Sequence, residues 1–222
     1  MKKKSPPLTF DQYRRIFNIA DSLAPYFAPP VGRACLFYNL TGAALMQAHY
    51  NKDAKLFCGL GAVALSKKSS AGEMAMLSWF QVSEGIATAT EEAFHAWVEF
   101  DDWIIDFTAP NYREAFAAVP FERKIPPPLT PRKMLQKPRH EVSGDIDDLA
   151  NAGDAVFDGN PGLTVAIIDR IGANPQMGDV LNIATKWHRP FPRRIAPLMM
   201  VGSNDGKQLD MKFVERSLDG VW

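Results

Sequence analysis

The segments FHAWVEF (94–100) and WIIDF (103–107) constrain this chain more than any other stretch. Both are rich in aromatic and β-branched residues, and only Asp101 and Asp102 separate them, which predicts an antiparallel hairpin closed by a two-residue turn. Such a turn sets the register: Phe100 opposes Trp103, Trp97 opposes Asp106, and His95 opposes Thr108. Side chains alternate between faces, so His95, Trp97 and Glu99 share a face with Ile104, Asp106 and Thr108. His95 and Asp106 become diagonal neighbours with α-carbons roughly 7–8 Å apart. That span lets a carboxylate orient an imidazole through a hydrogen bond.

An imidazole held in this way can serve as a base, and a base calls for a nucleophile. Upstream, Thr9 and Gln12 have the form of a capping box, and Phe10, Tyr13, Phe17 and Ala20 recur on one helical face, predicting a first helix to about Leu23. APYFAPP stops it, because Pro29 and Pro30 cannot donate to a continuing helix. From Cys35 to about His49, Leu36, Leu40, Ala43 and Ala44 keep helical spacing. Cys35 therefore falls in the first turn of a second helix, where free N–H groups and the helix dipole favour a thiolate. Cys35, His95 and Asp106 together have the composition of a nucleophile, base and orienter triad.

Elsewhere the pattern is less specific. Short apolar runs at 56–65 and 75–82 read as central strands. NYREAFAAV suits a short helix, and the proline-rich IPPPLTP opens an extended arm reaching roughly to Glu141. Beyond it lie DIDDLANAG, the apolar run LTVAIID (163–169), a helix around Asp179 to Trp187 and an SNDG turn at 203–206, none with an assigned chemistry. The cluster RKMLQKPRH and the pair Arg193 and Arg194 read as solvated charge near prolines, with contact to an anionic ligand as the alternative. Gly59 to Ala64 echo part of a dinucleotide-binding fingerprint, with Glu84 at a conceivable ribose-binding distance, although SKKSSAG soon interrupts any crossover helix.

The 222 residues are 46% apolar, enough for one domain with a sizeable core. Acidic and basic residues balance at 25 each, so the chain has no overall field to draw it to nucleic acid or an anionic membrane. Two cysteines, Cys35 and Cys58, without a CxxC spacing, fit a reducing compartment and a cytoplasmic protein. MKKKSPPLTF starts like a signal peptide, but its prolines fall where an apolar run should begin, so it reads as a disordered tail.

A cysteine opening a helix, then strands, then HAWVEF and DDWIIDFTAP resembles the transglutaminase-like core of the papain-like cysteine protease superfamily, in an uncharacterised bacterial branch. The resemblance covers roughly residues 30–112, with Trp97, Glu99, Trp103, Thr108 and Pro110 as accompanying pattern residues. It implies an α+β fold, an antiparallel sheet packed against an N-terminal helix that bears the nucleophile, with a C-terminal extension of unknown role. It also implies cysteine-dependent acyl transfer or hydrolysis of peptide, isopeptide or other amide substrates by Cys35, His95 and Asp106. Trp97 and Trp103 have two readings, walls of the substrate pocket or packing of the hairpin itself, with packing preferred, and no metal or other cofactor is called for. The His95–Asp106 gap is short for that superfamily, and APPVGRAC lacks a papain-type glutamine for an oxyanion hole. A noncatalytic binding domain that retains the fold is the alternative.

Overall fold

The computed structural model describes residues 5–29, 34–118, 131–202 and 206–222. Two helices come first: α1, Phe10–Phe27, and α2, Cys35–Tyr50. Strands β1, Lys55–Ala64, and β2, Met76–Trp79, follow, and then the small hairpin of β3, Gln81–Ser83, and β4, Ile86–Thr88. Next come β5, His95–Phe100, β6, Trp103–Asp106, and α3, Tyr112–Ala118. The last part holds β7, Leu135–Pro138, β8, Ala155–Gly159, α4, Pro161–Gly172, α5, Pro175–Trp187, and the hairpin of β9, Leu198–Gly202, and β10, Gln208–Lys212. The fold is α+β. No helix among the described residues is long and apolar enough to cross a membrane.

Helix α1 starts where local chemistry sets it. Thr9 and Gln12 form the capping box, each side chain meeting the other's backbone N–H. The helix then runs to Phe27, past the expected Leu23, and includes Pro25 in its last turn. Before it, Leu8 is buried and exchanges two hydrogen bonds with the Gln136 side chain in β7, at 3.0 and 2.9 Å. The expected disordered tail is thus corrected for residues 7 and 8; residues 1–4 lie outside the described residues.

The main sheet has six strands, ordered β2-β1-β5-β6-β7 with β8 also on β1, and its pairings are antiparallel. On β1, Gly59 pairs with both His95 and Gly159, and Gly61 with both Trp79 and Phe157. A residue with two partners has one on each edge. Strands β5 and β2 therefore follow one another along one edge of β1, while β8 takes the other. The 75–82 run, expected to be a central strand, is instead split into β2 and β3, and β2 pairs only with β1. The arm expected up to Glu141 is corrected too. Its 135–138 part is β7, which pairs with β6 and buries Leu135, although residues 125–130 lie outside the described residues. LTVAIID lies within α4. Residues 203–205 of the expected SNDG turn lie outside the described residues as well.

The hairpin of β5 and β6 has the register expected from its two-residue turn: Phe100 opposes Trp103, Glu99 opposes Ile104 and Val98 opposes Ile105. Asp101 takes the turn's left-handed conformation. Alternation then divides two cores. Val98 and Ile105 pack among residues of α1, α2 and α5, whereas Trp97 and Ile104 pack with Tyr112 and Phe116 of α3 and with Leu135 and Phe157.

The Gly59 to Ala64 run is strand β1 throughout and has no strand-to-helix turn, which removes the dinucleotide reading. The two glycines are explained by close approach. A Cβ on Gly59 would fall 2.1 Å from the Asp158 carbonyl oxygen, and one on Gly61 would fall 2.5 Å from His95 Cβ. Gly61→Ala is expected to cost about 1–3 kcal/mol of stability through overpacking. Gly144→Ala, where an added Cβ meets nothing within 4 Å, should change it by less than about 0.5 kcal/mol. Urea denaturation of the two variants measures the difference.

Candidate functional site

Asp106 closes β6 and is fully buried, so each lone pair of its carboxylate needs a donor. Oδ2 accepts from His95 Nε2 at 2.6 Å and from the Tyr112 hydroxyl. Oδ1 accepts from Asn39 Nδ2 at 2.9 Å and from the Thr108 backbone N–H at 2.7 Å. The backbone carbonyl of Asp106 accepts from the Tyr13 hydroxyl. Thr108 was expected to continue the strand opposite His95, but the chain has already turned there into a short 3-10 helix, Ala109–Asn111. That turn aims the Thr108 N–H back at the carboxylate.

His95 opens β5 and is also fully buried. Its ring stacks on Trp79 with centroids 4.0 Å apart and has Phe157 at 5.7 Å. The end-to-end placement of β2 and β5 along β1 makes the first contact, and β8 on the opposite edge supplies the second. Burial opposes a charge on the imidazole. The Asp106 carboxylate and then Cys35 outweigh it, and the His95 pKa rises to about 9. Burial likewise opposes ionisation of Asp106, but His95, Tyr112 and Asn39 hold its pKa below the usual carboxylate range. Burial, together with the Asp106 charge, pushes the Tyr13 and Tyr112 hydroxyls well up, so both remain donors.

Cys35 opens α2, whose N-cap residue Ala34 makes no side-chain cap. Its sulfur lies 3.9 Å from the carbonyl oxygen of Phe94, the residue before His95. Cys35 adds to the rise of the His95 pKa after Asp106. His95 Nδ1, the nitrogen not engaged by Asp106, is buried and makes no well-formed hydrogen bond among the described residues. The imidazole is therefore fixed on its Nε2 side and leaves Nδ1 as the atom available to the sulfur. Cys58 lies in β1 within the same apolar cluster as Cys35, and burial pushes its thiol up to about 12.

Trp97 is fully buried in the core with Ile104 and Tyr112, and its indole N–H donates to Glu99 at 2.8 Å. Trp103 opposes Phe100 and so lies on the face away from His95. Both are explained by hairpin packing, and Trp79 is the tryptophan that covers the imidazole.

Sequence reasoning passed over Asn39, Tyr112, Tyr13 and Trp79. Asn39 is one turn along α2 from Cys35. Its Nδ2 lies within 3.0 Å of the Cys35 and Ala96 carbonyl oxygens, Asp106 Oδ1 and Thr108 Oγ1, and its Oδ1 accepts the Phe107 N–H at 2.9 Å. The available signal was an asparagine, a poor helix former, inside the apolar run LFYNLTGAAL. Among the described residues no three His, Cys, Asp or Glu side chains gather as a metal would need.

No curated protein matches the sequence. A solved structure described as "The crystal structure of genomics APC5867" is similar over 100% of both chains, at 27% identity and a TM-score of 0.82. A family model described as "Protein of unknown function (DUF2026)" matches residues 9–222, and the chain belongs to that family.

Proposed function

We propose that the protein is a cysteine-dependent enzyme of acyl transfer or amide hydrolysis, built on a papain- or transglutaminase-like variant of the α+β fold. The observation that carries this reading is the His95 imidazole, tied through Nε2 to Asp106 at 2.6 Å and left with a buried, unpaired Nδ1 beside Cys35. A ring that served packing alone would leave that nitrogen unsatisfied at a cost of about 1–3 kcal/mol.

In the proposed reaction, the proton of the Cys35 thiol is held on Nδ1 of the protonated ring, and the sulfur forms a bond to the substrate carbonyl carbon. The C–N bond breaks as Nδ1–H protonates the departing amine, leaving a thioester. Water or a second amine then attacks the thioester, and the thiolate leaves. Asp106 holds the ring orientation and stabilises its positive charge. Backbone N–H groups of the uncapped first turn of α2 are candidate donors to the developing oxyanion. Substrates would be peptide, isopeptide or other amides. The second reading, a noncatalytic binding domain, is favoured by the burial of Cys35, which is only 5% exposed.

An alkylating reagent near neutral pH should label Cys35 at least about tenfold faster than Cys58, whose thiol is buried and protonated. Cys35→Ala should abolish acyl-enzyme formation while shifting stability by under about 1 kcal/mol. Mass spectrometry of timed labelling measures the first effect. Equal slow labelling of both thiols would overturn the enzyme reading.

The raised His95 pKa makes its contribution to stability complete below its ordinary value of 6.5 and lost as pH rises through about 9. The lowered Asp106 pKa makes its contribution present above the ordinary 3.8 and lost as pH falls. Urea midpoints should therefore be highest between those two ordinary values, and kcat/KM should decline above about pH 9 as the acid is lost. Asp106→Asn leaves donors facing an amide and should cost about 3–5 kcal/mol as well as activity. That variant should also flatten the alkaline loss of stability.

A further inference from the structure

Six of the twelve arginines in the sequence gather where α1 meets the C-terminal segments: Arg14, Arg15, Arg189, Arg193, Arg194 and Arg216. Two are neutralised. Arg14 pairs with Asp11 at 3.0 Å, and Arg216 pairs with Asp21. Among the described residues, Arg15 and Arg189 meet backbone carbonyl oxygens instead of carboxylates. Arg15 donates through Nη1 to the Arg189 and Arg193 carbonyl oxygens, both at 2.9 Å, and its guanidinium lies 5.6 Å from the centre of the Phe191 ring. Arg189 donates to the carbonyl oxygens of Lys186 and His188. Carbonyl oxygens fix a guanidinium in place without cancelling its charge, which leaves it preorganised for an anion.

Arg14, Arg15 and Arg194 form the basic side of a cleft of about 320 Å³, and Ile195, Pro197 and Phe213 supply its apolar part. Arg194 has no ion-pair or hydrogen-bond partner among the described residues. Glu215 is the one carboxylate on the lining. The excess of positive charge reaches into the neighbouring interior. His188, fully inaccessible to solvent, has its pKa pushed down to about 3, first by burial and then by His49, Arg15 and Arg189. A chain with no net charge thus concentrates one sign of charge around one concave surface.

We propose that this cleft binds a small organic oxyanion, its carboxylate or phosphate held between Arg15 and Arg194 and its apolar body resting on Ile195, Pro197 and Phe213. None of these residues belongs to the Cys35, His95 and Asp106 cluster, so the inference does not depend on the acyl-transfer reading. Guanidinium groups select the oxyanion by paired N–H donors, and the apolar wall selects against a bare inorganic ion.

Calorimetric titration of the full chain at fixed ionic strength, with phenyl phosphate, benzoate, inorganic phosphate and phenol as probes, tests the proposal. Saturable one-site binding is expected for phenyl phosphate or benzoate, tighter by about tenfold than for inorganic phosphate or phenol. The better of the two aromatic anions identifies the oxyanion. Arg194→Ala should weaken that binding by about tenfold with an unchanged Tm, and Glu215→Gln should strengthen it. Absence of saturable binding, equal binding of phenol, or undiminished binding by Arg194→Ala overturns the proposal.

Discussion

The Asp106 carboxylate is the group around which the N-terminal half of the chain is arranged. An unpaired carboxylate in a low-dielectric interior would cost many kcal/mol or lose its charge. Its donors come from separate elements: Asn39 from α2, His95 from β5, the Thr108 N–H from the turn after β6, and Tyr112 from α3. Tyr13 of α1 takes the carbonyl of the same residue. Each element must reach its place before the charge is satisfied, so one polar requirement ties local structure to global topology. Asn39 extends the constraint by joining the first turn of α2 to β5 and to Asp106 at once.

The apolar layers complete what the carboxylate organises. The alternation of β5 and β6 sends Val98 and Ile105 to one core and Trp97 and Ile104 to the other, with the polar contact of His95 and Asp106 at the strand ends. The C-terminal part then protects the sheet. Strand β8 covers the second edge of β1, and β7 covers the edge of β6. Without them, long buried strands would present unpaired N–H and C=O groups to solvent and to other chains. Two strands from the part of the chain after residue 112 therefore belong to the same sheet, and Gln136 of one of them also fastens Leu8, just before α1.

What was legible in the sequence follows from the range of the forces involved. The capping box and the hairpin register depend on residues a few positions apart, and both could be read because turn length and alternation allow few alternatives. The proximity of His95 to Asp106 came with the register. The other ligands of Asp106 were not legible, since Asn39 and Tyr13 reach it across 67 and 93 positions of sequence. Strand β7 was hidden for a related reason: its four residues carry too little pattern beside the prolines to outweigh a linker composition. The run GLGAVA is ambiguous in a different way, because glycine in an apolar run suits a phosphate loop and close strand packing equally well.

The two cysteines show how placement, beyond composition, gives two thiols in one apolar cluster different neighbours. Both belong to one apolar cluster with Leu56, Ala96, Leu163 and Ile167. Cys58 sits within a strand paired on both sides, where there is no helix terminus to stabilise a thiolate and burial raises the thiol pKa. Cys35 sits where a helix begins, its sulfur beside the residue pair Phe94 and His95, with a ring whose far nitrogen is already committed to a carboxylate. The same element in the same hydrophobic surroundings thus faces an inert environment in one case and a polarised one in the other. The difference is made by Asp106, which fixes the charge and orientation of the imidazole without touching the sulfur.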